Sequence, residues 1–336
     1  MKTIKLVIPV LGLLLGILLS EAITRFYYFS KFSTNDIALS DNKVLIYEHK
    51  RSISFINKYG VEVKYNSLGF IGEEIAPKSK ETVRILGVGD SITEAIYLPE
   101  EKNFLNQLKK PLNVQIGVPI EIINAAVGGY NTWQELELLR RKALSVHPDI
   151  IIVGICMNDF VYSPPRLKKT WFNGVVESFR DGSKARYFNY IYQRSDLYKL
   201  IYDLLSRKSR IGLGEERFRD YLMDYEFRIS QTDIEKWKVP FLEMMRLAES
   251  ENIKIIFVLF PLQNQVIKKE SATCKPLTDF FRDKNAHYID LIDTFIRKAD
   301  SGGELFERRD LIHPTSLGHN IAAETIFAYI VDNKIL

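Results

Sequence analysis

Arg84-Ile85-Leu86-Gly87-Val88-Gly89-Asp90-Ser91-Ile92-Thr93 is the stretch on which the fold turns: an apolar run stops at Gly-Asp-Ser and a helical pattern follows. A buried parallel strand reads as a continuous apolar run, and residues just past its carboxyl end face the crevice where open α/β sheets bind ligands. Ser91 is therefore expected at that crevice, with Gly89 leaving room for a tight backbone and for close approach of a substrate. The N–H of Ser91, at the opening of a helix, can donate to an oxyanion developing beside it. Two other readings compete. Gly87-x-Gly89 looks like the start of a dinucleotide fingerprint, but Ile92 occupies the third glycine position and the run lies deep in the chain. The plainer alternative is a serine that does no more than cap its helix, and only distant partners can decide against it.

Working outward, apolar runs at 83–89, 120–124, 149–155, 253–260 and 287–292 alternate with amphipathic stretches at about 101–110, 131–146, 234–250, 276–284 and 316–331. Alternation with long crossovers implies a parallel sheet covered on both faces. The expected architecture is α/β: a three-layer α/β/α, flavodoxin-like, doubly wound sheet of five strands. The distant partners of Ser91 then fall in order. Asn124-Ala125-Ala126-Val127-Gly128-Gly129-Tyr130 follows the second run and Gly154-Ile155-Cys156-Met157-Asn158-Asp159 the third, offering a glycine N–H and an asparagine amide as donors. Asp310-Leu311-Ile312-His313-Pro314 precedes the last helix and puts a carboxylate and an imidazole in one loop. His313 can act as general base to Ser91 while Asp310 holds the other ring nitrogen.

At this point the residues resemble a family, the SGNH (GDSL-like) hydrolases, and within it the membrane-attached bacterial type. The family's blocks supply Ser, Gly, Asn and His, and the resemblance spans about residues 82 to 330. It implies a serine esterase with catalytic Ser91, Asp310 and His313 and an oxyanion hole of Ser91, Gly129 and Asn158, needing no metal and no cofactor. One position departs: Cys156 stands where a glycine usually precedes the block-three Asn by two residues, which puts the shape of the Asn158 loop in question.

The remaining histidines have structural readings. His147 precedes Pro148 at a helix end, His287 opens a strand, and His319, six residues past His313 within a helix, is expected to point away from the site. Asp90 reads as a helix cap and Asp159 as a brace for its loop. Glu94 reads as a helix-face carboxylate one turn from Asp90. Cys156 and Cys274 are the two cysteines; Cys156, ending a buried strand, is more simply a small hydrophobe than half of a disulfide.

With 336 residues, 46% of them hydrophobic, the chain can bury a sizeable core. The net charge of +4 is small against 46 basic and 42 acidic residues, and no basic stripe interleaves with aromatics, so nucleic acid is not an expected partner. Lys2 and Lys5 precede an apolar Leu6 to Leu19. Residues 1–29 thus read as an uncleaved signal anchor or as a signal peptide cleaved near Ser20-Glu21-Ala22. Either places the catalytic part outside the cytoplasm: at the cell membrane if anchored, secreted or periplasmic if cleaved. Residues 30–80 form a lead-in with a hairpin of Arg51–Phe55 and Val61–Tyr65 around Lys58-Tyr59-Gly60, then a turn at Asn66-Ser67-Leu68-Gly69-Phe70. The lead-in either packs beside the site or straps the sheet edge. Residues 81–336 form the hydrolase domain, with 160–233 an aromatic-rich insertion that reads as a cap over the substrate or as a small core of its own.

The expected function is ester hydrolysis through an acyl-enzyme, on an ester-bearing small molecule or an O-acylated envelope glycan or lipid. The alternatives are an O-acetyltransferase of envelope polysaccharide and a non-catalytic glycan-binding relic.

Overall fold

In the computed structural model, residues 9, 12–24, 36–42, 44–57, 59–156, 195, 197, 231–308 and 310–336 are described. Asn158, Asp159 and nearly all of the 160–233 insertion lie outside these residues. Two compact units separate: Met1–Asn35, Ile56–Lys58 and Lys168–Arg228 in one, Asp36–Phe55, Tyr59–Leu167 and Ile229–Leu336 in the other. In the first, residues 12–24 are helical. There the Glu21 carboxylate accepts from the Ser195 hydroxyl at 2.7 Å and the Leu197 N–H at 3.1 Å. Among the described residues, no helix is long and apolar enough to cross a membrane.

Between Asp36 and Tyr65 lie four short strands, β1 (Ile37–Leu39), β2 (Tyr47–His49), β3 (Ile53–Ile56) and β4 (Glu62–Tyr65). β1 pairs with β2 and β3 with β4, giving two small two-stranded sheets. The sequence anticipated the second pair and missed the first. Strands of three residues are too short to display a period, so Ile37-Ala38-Leu39 and Tyr47-Glu48-His49 carry no strand signal.

The main sheet is formed by β5 (Val83–Gly89), β6 (Ile120–Asn124), β7 (Ile150–Ile155), β8 (Lys254–Leu259) and β9 (His287–Asp290). Its order is β6-β5-β7-β8-β9, with every neighbouring pair parallel. Such an order reverses direction of build between β6 and β7, and the switch point lies beside β5, whose carboxyl end carries Gly89-Asp90-Ser91. β7 is buried along its whole length, as a central parallel strand covered on both faces must be.

Among the described residues of this unit, eight α-helices alternate with these strands: α1 (Ser91–Glu94), α2 (Phe104–Ile116), α3 (Thr132–Arg141), α4 (Gln231–Ser250), α5 (Gln263–Lys268), α6 (Lys275–Asp283), α7 (Ile292–Asp300) and α8 (Ser316–Asp332). α2 packs on α8, while α3 and α6 both pack on α4. The α4 side is held by an aromatic cluster in which Phe241 meets Phe257 at 5.5 Å and Phe281 at 5.3 Å, and Phe257 stacks on Phe281 at 4.5 Å. Each such pair contributes about 0.5–1.5 kcal/mol beyond its burial.

Three departures from the expected elements have local causes. α2 runs on through Pro111 to Gly117, although proline removes a helical hydrogen bond. Leu108 and Leu112, one on either side of that proline, are fully buried, and their packing outweighs the local loss. The apolar run 287–292 is strand only to Asp290. The Asp290 carboxylate accepts from Thr273 N at 2.9 Å, Thr273 Oγ1 at 2.5 Å and Ile292 N at 3.2 Å, which turns the chain into α7. Finally, Arg84 is 2% exposed at the start of β5. Each nitrogen of its guanidinium donates, to Glu121 at 2.7 Å, to the Val146 carbonyl and to the Ala76 carbonyl at 2.8 Å, the kind of pairing a buried cation requires.

Candidate active site

β5 ends in an elbow. A Cβ at Gly89 would lie 2.3 Å from Thr93 Oγ1 and 2.9 Å from the Gly154 carbonyl, so the close approach that forbids a side chain is between β5, α1 and β7. Asp90 caps α1, its carboxylate accepting from Ile92 N at 2.9 Å. The one-turn helix is then pinned from outside. Asn103 and Asn124 each donate a side-chain amide to the Thr93 carbonyl, at 2.8 and 2.9 Å. Ser91 sits at the first position of this turn.

His313 comes from the loop before α8. Its Nε2 lies 2.8 Å from Ser91 Oγ, and its Nδ1 lies 2.6 Å from Asp310 Oδ2. The other Asp310 oxygen accepts from Ile312 N at 2.8 Å and His313 N at 3.0 Å, so the carboxylate closes its own loop. Because Asp310 can only accept, Nδ1 carries the proton and Nε2 is left to accept from the serine hydroxyl. The loop is fastened at both ends: Glu307 N donates to the His313 carbonyl at 2.9 Å, and Thr315 N to the Leu305 carbonyl at 2.8 Å.

Burial pushes the His313 imidazole down, but the hydrogen bond and charge of Asp310, with Asp90 and Glu94 behind, outweigh it and raise its pKa above the ordinary value. Burial likewise pushes the Asp310 carboxyl up, and the His313 hydrogen bond and charge together with the two loop amides pull it below the usual carboxylate range. The carboxylate thus favours the imidazolium form of His313, the state a general base passes through when it takes a proton.

The Gly128–Gly129 loop runs alongside the elbow, since Ala125 N donates to the Gly87 carbonyl at 2.9 Å and Val127 N to the Gly89 carbonyl at 3.1 Å. Gly129 has φ +78°, a conformation that favours glycine. Tyr130 N closes the turn on the Val127 carbonyl at 3.1 Å. β7 delivers the chain to Cys156, which is buried and, like Cys274, not in a disulfide. The expected donor Asn158, just beyond, lies outside the described residues.

Two features escaped the sequence. His319 does not face Ser91, as expected, yet it is not idle. Its Nδ1 accepts from Phe104 N at 3.2 Å, which leaves the proton on Nε2 to be donated to Tyr97 Oη at 2.8 Å. Tyr97 in turn donates to the Pro314 carbonyl at 3.1 Å, and its ring lies edge-on to His313 at 5.1 Å between centroids. Glu94, read only as a helix-face carboxylate, is buried against His49 of β2, with Nε2 to Oε1 at 2.7 Å. No local pattern announces either contact. Among the described residues, no three His, Cys, Asp or Glu side chains gather in a way that could hold a metal ion.

The sequence model of the GDSL-like lipase/acylhydrolase family matches residues 85–326. Solved structures similar in fold include an acetyl xylan esterase, AlAXEase, at 15% identity over 74% of this chain and 100% of that one, with TM-score 0.45. TesA follows at 13% identity over 75% and 99%, with TM-score 0.43. The psychrotrophic esterase EstA from Pseudoalteromonas sp. is similar at 13% identity over 75% and 98%, with TM-score 0.42. No curated protein matches the chain in sequence.

Proposed function

Because the chain belongs to the GDSL-like lipase/acylhydrolase family and is an SGNH serine esterase, we propose that Ser91, His313 and Asp310 carry out ester hydrolysis through an acyl-enzyme. The observation that supports this most directly is the unbroken chain of contacts from Ser91 Oγ through the imidazole to the Asp310 carboxylate. Ser91 Oγ attacks the ester carbonyl as its proton passes to His313 Nε2. The tetrahedral oxyanion is held by the N–H groups of Ser91 and Gly129 and by the Asn158 amide. Collapse breaks the bond to the leaving alcohol, to which His313 returns the proton. Water then attacks the acyl-enzyme, gives its proton to His313, and the acid departs as Ser91 recovers its hydrogen.

The substrate class proposed is a short acyl ester, foremost an O-acetyl group on an envelope glycan, with a short-chain lipid ester next. The proposed setting is the outer side of the cell membrane, with residues 1–29 as the anchor; the basic start and the apolar run to Leu19 support it. Ser91→Ala is expected to abolish p-nitrophenyl acetate hydrolysis without altering the melting temperature. Undiminished turnover removes Ser91 from the mechanism. A panel of acetylated sugars and p-nitrophenyl esters of rising chain length tests the acyl group, and activity that climbs with chain length rejects the glycan assignment.

A further inference from the structure

Gly129 can serve as an oxyanion donor only if its N–H points at Ser91, and a Gly-Gly pair has little stiffness of its own. The structure supplies the stiffness from far away in sequence. The Tyr47 hydroxyl, on β2, donates to the Gly128 carbonyl at 2.9 Å, in a fully buried contact. The Gly128 carbonyl and the Gly129 N–H are the two ends of one planar trans peptide and point in opposite directions. Fixing the carbonyl therefore aims the N–H, and a hydrogen bond accepted on one side of a peptide strengthens the donor on the other.

The tie is reciprocated and braced. Tyr130, next after Gly129, donates its hydroxyl to the Tyr47 carbonyl, and the two rings meet edge to face at 5.2 Å. Gln134 of α3 donates to the Leu45 carbonyl at 2.9 Å. Two residues beyond Tyr47, on the same buried face of β2, His49 donates Nδ1–H to the Gly69 carbonyl at 3.2 Å and stacks on Tyr65 at 4.1 Å. Its Nε2 meets Glu94, three residues after Ser91 on α1. The second Glu94 oxygen lies where a Cβ on Gly128 would come within 2.6 Å of it. The carboxylate is wedged between the turn that carries Ser91 and the loop that carries Gly129.

We propose that Tyr47 and His49 are positioning residues of the active site: Tyr47 orients the 128–129 peptide directly, and His49 does so through Glu94. The lead-in would then be part of the catalytic apparatus and not only a cover for the sheet edge. This rests on the reading of Gly129 as an oxyanion donor in a serine hydrolase.

The test uses the full chain and Tyr47→Phe, which removes one hydroxyl and keeps the ring. With p-nitrophenyl acetate, kcat is expected to fall roughly tenfold, the worth of one well-placed hydrogen bond, while KM stays within about twofold. The rate of Ser91 phosphonylation by a fluorophosphonate should fall in parallel, because its tetrahedral oxygen needs the same donors. His49→Ala is expected to show a similar loss, partly restored in His49→Gln, whose amide can still donate to Glu94. If His49→Ala does not fold, Tyr47→Phe decides alone. A folded Tyr47→Phe whose kcat and phosphonylation rate match wild type, or whose loss lies entirely in KM, overturns the proposal by itself. A wild-type protein that reacts with neither reagent overturns the hydrolase reading as well.

Discussion

Asp310–His313 and Glu94–His49 are chemically the same pair, a carboxylate against an imidazole at 2.6 Å and at 2.7 Å. What separates them is the partner of the second ring nitrogen. In His313 it faces a serine hydroxyl, which can give up a proton; in His49 it faces the Gly69 carbonyl, which can only accept one. Exposure follows the same division, with side chains 27% and 35% exposed in the first pair and 2% and 8% in the second. The division suits the proposed roles, since a base must meet substrate and water, whereas a brace is most effective when sealed from them. A histidine–carboxylate contact is thus no mark of catalysis until the far nitrogen is known.

The sharpest way to break that comparison is the same substitution in both places. His313→Gln is expected to lower kcat/KM for p-nitrophenyl acetate by at least about 10³-fold, whereas His49→Gln loses no more than about tenfold. Equal losses would mean that the far nitrogen does not matter. Asp310→Asn should cost almost as much as losing the base, about 10³-fold to 10⁴-fold, since the amide can donate to Nδ1 and so favour the wrong tautomer.

A finer measurement is the acid limb of kcat/KM, which reports the base in the free enzyme. The proposed mechanism requires neutral His313, and the neighbouring carboxylates raise its pKa, so activity should fall as pH drops through a midpoint above the ordinary value of about 6.5. In Asp310→Asn the residual activity should show that midpoint moved down. A wild-type midpoint below the ordinary value would contradict the charge arrangement.

The smallest effect expected concerns the third histidine. Burial, with His313 nearby, holds His319 neutral and its pKa down at about 3. The folded protein therefore does not take up this proton between about 6.5 and 3, while the unfolded chain does. That contribution to stability is present above the unfolded value and is lost as pH falls through this window. Denaturant titrations of wild type and His319→Gln should therefore converge as pH is lowered; curves that stay parallel would show that His319 is not buried neutral.

The apolar runs of β5, β7 and β8 were legible because a strand buried on both faces has no polar alternation to hide it. Pro111 and Asp290 misled for opposite reasons. Packing carried a helix past a residue that locally opposes it, and a side-chain cap ended a strand inside an apolar run. Ser91, Asp310 and His313, which the structure brings into contact, stood out in the sequence because each lies at or beside the end of an element, where glycine, proline and polar clusters contrast with apolar surroundings. Gly129 and Asn158 were expected as oxyanion donors on the same grounds, and Asn158 lies outside the described residues.

By itself, then, the sequence determined a parallel α/β sheet and singled out Ser91, Asp310 and His313 as candidate partners, since burial and loop chemistry are local properties of the chain. Tertiary structure alone decided which groups would hold those in place. Glu94 finds His49 across 45 positions, Tyr47 finds Gly128 across 81, and Tyr97 finds His319 across 222. Such contacts arise where separate segments cross in space, and no periodicity in the chain records a crossing.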